Sequence, residues 1–191
     1  ETFQKAGNMG LGCLAMAGGG RERLAAVIDL YHQATSQAEA AGIQVVNRVS
    51  AGTVAICGEN RTKTMERAAG IIDWYRAQGV LRDVKVWQEQ DPDDVPEDYR
   101  WHYQRSTAED SSKRNEVPSL DLIKQGRYCI GDPDDCIRFL EEYETTGLDE
   151  VIPLFQIGTA THEEVMETLR LFGEHVIPHF QKREAAAEGG P

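Results

Sequence analysis

An α/β fold with a parallel sheet is what this sequence predicts, on three observations. The run Val151 to Ile157 is short and almost wholly apolar, as in a strand buried on both faces. A Gly158-Thr159-Ala160 turn follows, and Thr161 with Glu164 then has capping-box spacing, the hydroxyl serving one free amide and the carboxylate another. Val165, Leu169, Phe172 and Val176 recur at helical spacing beyond the cap, a stripe that would pack back onto the strand. The same strand–turn–helix grammar recurs upstream, and such alternation builds parallel sheets with right-handed crossovers.

The elements follow in order. The chain opens Glu1-Thr2-Phe3-Gln4-Lys5-Ala6-Gly7 without an initiator Met and reads as already helical through Met9, as expected of a piece of a longer polypeptide. Gly10 to Met16 is a short apolar strand ended by Ala17-Gly18-Gly19-Gly20. The triple glycine resembles a phosphate loop but lacks the Lys-Ser/Thr of a P-loop and the spacing of a dinucleotide fingerprint, so a flexible turn is the simpler reading. Arg21 to Ala41 carries Leu24, Val27, Ile28, Tyr31 and Ala38 on one helical face, stopped by Gly42. Ser50 to Cys57 is the next strand, interrupted at Gly52. Asn60 or Thr62 caps a helix whose stripe is Met65, Ala68, Ala69, Ile72 and Tyr75, ending near Gly79.

Residues 81–125 break this rhythm. The segment is polar, with Trp87, Tyr99, Trp101 and Tyr103 scattered through it. So long a stretch with little periodicity is either a functional flap or disordered, and the aromatics favour a flap that docks. Order returns at Tyr128. Asp132 is an N-cap, Pro133 takes the first helical position, and Asp134 and Asp135 sit at the positive end of the dipole. Cys136, Leu140 and Tyr143 face inward and Gly147 ends the helix. Residues 184–191 carry no core and read as a disordered tail. Three parallel strands leave two edges open and cannot bury all these stripes, so further strands are expected.

Composition narrows the function classes. At 191 residues and 40% hydrophobic content, one cored domain, 1–183, is the natural reading. A net charge of −12 argues against nucleic-acid and anionic-membrane partners, both of which need a basic face. No apolar run approaches the roughly 18 residues of a membrane span, and no signal-peptide pattern is present. Cys13, Cys57, Cys129 and Cys136 share no metal-ligand spacing and read as reduced thiols of a cytoplasmic protein, with no metal site. His162 starts a helix, but no Ser, Cys or carboxylate is spaced to orient it as a base. His175 and His179 lie near a helix C-terminus and read as structural.

Several blocks resemble a known family. Ile130-Gly131-Asp132-Pro133-Asp134-Asp135-Cys136-Ile137, Thr146-Gly147-Leu148-Asp149, Phe155-Gln156-Ile157-Gly158 and Leu171-Phe172-Gly173-Glu174-His175-Val176-Ile177-Pro178 are similar, in order and spacing, to the C-terminal part of the bacterial luciferase-like monooxygenases. The opening, Glu1 to Gly12, is similar to that family's segment after its fifth barrel strand. The resemblance implies the C-terminal part of a (β/α)8 TIM barrel, with strands six to eight near Leu11–Met16, Ser50–Cys57 and Val151–Ile157. The insertion 81–125 would be the mobile loop between strands seven and eight.

What the resemblance implies about activity is a monooxygenase using reduced FMN and O2 on a small organic substrate such as an aldehyde, alkane or sulfonate. The alternatives are an F420-dependent oxidoreductase of the same fold and a non-catalytic luciferase-like subunit or flavin-binding protein. It implies Thr2 against the flavin phosphate, where a helix N-terminus favours an anion, though Thr2 also reads as a simple cap. Gln156 and Gly158 would end strand eight on the active face, contacting the cofactor or only shaping its pocket. Lys113 and Arg114 are the basic candidates for the mobile loop, or else a solvated pair. The catalytic residues are expected in the N-terminal half, which would leave this chain inactive alone. A flavin reductase as supplier of reduced FMN, and a dimer at full length, are implied as well.

Overall fold

The computed structural model describes residues 2–107 and 117–188. In chain order the elements are α1 (Thr2–Asn8), β1 (Cys13–Met16), α2 (Arg21–Thr35), β2 (Val49–Cys57), α3 (Arg61–Gln88), α4 (Arg100–Thr107), α5 (Ser119–Lys124), β3 (Cys129–Gly131), α6 (Pro133–Glu144), β4 (Glu150–Leu154), α7 (His162–Leu171) and α8 (Ile177–Glu188). A π turn, Phe172–Val176, joins α7 to α8.

All strand pairings are parallel and all centre on β2. β1 pairs with its first part (Cys13 opposite Val49), β4 runs beside it from Ser50–Glu150 to Val54–Leu154, and β3 joins only its end, with Ala55 opposite Cys129. β1 and β4 each keep one unpaired edge among the described residues. β3 is a correction to the three-strand reading: three residues are too few for a periodic signal, and its place is set by β2.

Side chains alternate across β2, as the pleat requires. Val49, Ala51, Ala55 and Cys57 enter a core with Leu24, Ile28 and Tyr31 of α2, Cys136, Phe139 and Tyr143 of α6, and Leu171, Phe172 and Val176 around the π turn. Val54 and Ile56 face the opposite way and meet Met65, Ala68, Ile71 and Ile72 of α3, with Ile123 of α5. Ile71 and Ile72 are wholly buried, each contributing about 1.5–3 kcal/mol relative to exposure. α3 therefore covers the other face of the sheet, at its C-terminal end, instead of joining the layer of α2, α6 and α7.

Local signals behave as their chemistry requires. Asp132 accepts from the Asp135 amide and Thr161 from the Glu164 amide, and both complete capping boxes. Gly147 (φ 79°) follows α6 in the left-handed region. Tertiary contacts override other expectations. α2 stops at Thr35, six residues before Ala41, because the chain turns back to give the Glu39 and Ala41 amides to the carbonyls of Asn8 and Met9. α3 runs through Gly79 to Gln88, so the segment from residue 81 begins as helix, and α4 and α5 add more. Residues 184–188 continue α8, where a disordered tail was expected. Tyr75 and Leu169, both expected inside, are exposed. Thr168 and Leu171 take the buried positions on α7.

Candidate functional site

The C-terminal ends of the strands form one end of the sheet, reached by the turns Ala17–Gly20, Gly58–Asn60 and Phe155–Ala160. Register places Leu14 beside Ser50, Met16 and Ile152 beside Gly52, and Leu154 beside Val54. These side chains share the face on which α3 sits. Leu14 (65%), Met16 (58%), Ile152 (40%) and Leu154 (37%) are exposed there, an apolar strip that α3 leaves open. Gly52 makes room for it, since a Cβ there would lie 3.0 Å from the Met16 sulfur.

The end of β2 is held from the α7 side. β4 stops pairing at Leu154, opposite Val54, and beyond that point Thr168 takes over. Its hydroxyl donates to the Cys57 carbonyl at 3.1 Å and accepts from the Cys57 amide at 3.0 Å. The neighbouring thiols are not reactive groups. Hydrogen bonding to Cys136 and burial push Cys57 far up, and hydrogen bonding to Cys129 does the same to Cys136. Both stay protonated, unlike a nucleophilic or metal-binding thiolate.

The sequence-derived site residues fall at separate points of this end. Thr2 is exposed in the first turn of α1, and its neighbour Phe3 lines a cavity with Met16 and Gly18–Gly20. Gln156 is exposed just past β4. Gly158 (φ 55°) packs against Trp74 of α3, whose Cε3 lies 2.9 Å from where a Cβ would stand. No hydrogen bond joins Thr2 to Gln156 or Gly158 among the described residues. Lys113 and Arg114 lie outside the described residues. His162 is exposed, and His179 pairs with Glu141 at 2.9 Å, away from the strand ends.

Sequence reasoning missed two features here. One is α3 as cover for the sheet, with Trp74 brought to the Gly158 turn. The other is Arg127, whose guanidinium donates to the Gly19 carbonyl. A lone arginine ahead of β3 carried no local signal of that contact. Among the described residues, no group of His, Cys, Asp and Glu is placed to hold a metal ion, and no helix is long and apolar enough to cross a membrane.

This α/β architecture is shared with part of several solved structures. The chain is similar to the monooxygenase RslO1 from Streptomyces bottropensis, with a TM-score of 0.58 and 16% identity over 93% of this chain and 44% of that one. It is similar to apo-MsnO8 with a TM-score of 0.51 and 18% identity, over 92% of this chain and 47% of the other. It is also similar to the coenzyme F420 dependent tetrahydromethanopterin reductase from Methanopyrus kandleri, with a TM-score of 0.51 and 19% identity, over 93% and 48%. The chain thus spans a little under half the length of each structure. No protein-family model and no curated protein matches the sequence. At these identities the likeness defines the fold.

Proposed function

We propose that this chain supplies strands six, seven and eight of a luciferase-like (β/α)8 oxidoreductase, with β1, β2 and β4 in those places. The whole enzyme then uses reduced FMN and O2 to oxygenate a small organic substrate. The observation that carries this reading is the likeness to the RslO1 monooxygenase over 93% of the chain. The open apolar strip supports it, because the inward sheet face of a barrel is packed by the side chains of its other strands. The F420-dependent reading keeps a place beside it through the likeness to the methanogen reductase.

The residues present fit one wall of a planar aromatic cofactor. Leu14, Met16, Ile152 and Leu154 offer apolar contact, and the Gln156 amide offers both a donor and an acceptor. Thr2 offers a hydroxyl, and Gly158 lets the turn after β4 close on Trp74. Reduced FMN, when bound, supplies the electrons for oxygen activation. This chain's part is to orient the ring edge through Gln156 and to exclude water along the strip. The catalytic residues fall to the rest of the barrel.

The test is titration of the whole enzyme containing this chain with FMN and with F420, followed by flavin fluorescence, in the wild type and in Gln156→Ala. Quenching by FMN that weakens by roughly five- to tenfold in the variant, about the worth of one hydrogen bond, is the expected result. Binding of F420 alone would move the reading to hydride transfer. Binding of neither would overturn it.

A further inference from the structure

The Ala17–Gly20 turn and Arg127 enclose a cavity that the reading above leaves without a role. It measures about 520 Å³ and is lined by the apolar side chains of Phe3, Ala15, Met16, Leu24 and Val27, by Gly18–Gly20, and by Arg23 and Arg127. It has no acidic lining residue, although the chain carries 32 acidic and 20 basic side chains. Arg48, Arg61, Arg67, Arg138, Arg170 and Arg183 each meet a carboxylate. Arg23 and Arg127 meet none among the described residues. Arg23 and Arg127 also border an adjoining cleft of about 250 Å³ that Glu22 and Glu142 line, where Arg21 holds Glu142 at 2.7 Å.

The consecutive glycines make room for both arginines. A Cβ on Gly19 would stand 3.2 Å from the Arg23 Cδ, and one on Gly20 (φ 93°) would stand 2.7 Å from an Arg127 guanidinium nitrogen. A turn with side chains would fill the space against which the arginines lie. Guanidinium groups bind carboxylate, sulfonate and phosphate through charge-assisted hydrogen bonds. The other lining side chains, Phe3, Ala15, Met16, Leu24 and Val27, are apolar, and Met16 also belongs to the open strip on the sheet.

We propose that this cavity binds the anionic end of the substrate, an organic molecule with an apolar body and a carboxylate, sulfonate or phosphate group, through Arg23 and Arg127. In assigning the ligand as the substrate, this rests on the oxidoreductase reading; the binding site itself does not. The probes are octanoate, octane-1-sulfonate, octan-1-ol and inorganic phosphate, titrated calorimetrically into this chain. Octanoate or octane-1-sulfonate should bind about tenfold or more tighter than octan-1-ol, the worth of one to two charged hydrogen bonds. The preferred anion identifies the headgroup class. Arg23→Gln/Arg127→Gln should bring that anion to the alcohol's affinity, Arg23→Lys/Arg127→Lys should restore part of the difference, and Arg183→Gln should leave it unchanged. Circular dichroism verifies that the variants fold.

Equal affinity for alcohol and both anions, or preference retained in the double Gln variant, overturns the proposal. Inorganic phosphate bound as tightly as the preferred organic anion overturns the apolar-bodied ligand. FMN that displaces octanoate assigns the arginines to the cofactor and overturns the substrate assignment. The two readings fail separately: octanoate bound without FMN or F420 removes the oxidoreductase, and flavin bound without the organic anions removes this site.

Discussion

Replacing Thr168 with Val keeps the side-chain shape and removes one hydroxyl. That hydroxyl is buried (Thr168 is 1% exposed) and serves both the amide and the carbonyl of Cys57, itself 2% exposed. β4 no longer reaches this part of β2, so the variant leaves two buried backbone groups unpaired at the strand's end. An unpaired buried group costs about 1–3 kcal/mol, and two together should cost roughly 2–5 kcal/mol. For a chain of this size that lowers Tm by about 4–20 °C, at some 2–4 °C per kcal/mol. Thr168→Ser keeps the hydroxyl and loses one buried methyl, an expected cost of about 1 kcal/mol. Urea unfolding followed by circular dichroism, with both variants beside the wild type, gives the comparison. A Val variant as stable as the Ser variant would refute the reasoning, since the hydroxyl would then contribute nothing beyond its shape.

Two further outcomes follow from local geometry. Burial works to raise the Asp135 carboxyl, but hydrogen bonds from Arg61, Arg138 and the Asp132 amide outweigh it and hold it below its ordinary 3.8. A depressed folded value stabilises the protein above the unfolded one. The advantage of wild type over Asp135→Asn should therefore be full near neutrality and shrink as pH falls below about 4; an advantage independent of pH in urea titrations would contradict this. Gly158→Ala meets both a positive φ of 55° and the Trp74 ring, so it should destabilise by about 1–3 kcal/mol. It should also shift the tryptophan emission, and an unchanged spectrum with unchanged stability would be the contrary result.

The C-terminal end of the sheet and the helices around it show where local and distant information divide. Asp132 and Thr161 were legible as caps because a cap needs only residues within one turn, and both form their boxes. Cys136 and Tyr143 of the α6 stripe were legible from helical spacing, but Phe139 takes the buried place expected of Leu140, which is only half-buried. Leu169 and Tyr75 also fit a stripe, but burial needs a partner surface, and the described residues leave them 43% and 44% exposed. The Gly18–Gly20 turn was visible as three glycines. Why they are glycines was not, since Arg23 lies after the turn and Arg127 more than a hundred residues away.

The sequence by itself determined a parallel α/β chain, the positions of three strands and the caps that begin α6 and α7. These rest on periodicity and on hydrogen bonds between near neighbours. Tertiary structure alone decided that β3 completes the end of β2, that α3 covers the opposite sheet face, and that Thr168 closes the strand where β4 leaves it. It also decided that Arg23 and Arg127, which pair with no carboxylate among the described residues, meet at one cavity. Each of these is a contact between segments far apart in the chain, and its free energy exists only once the sheet has brought them together.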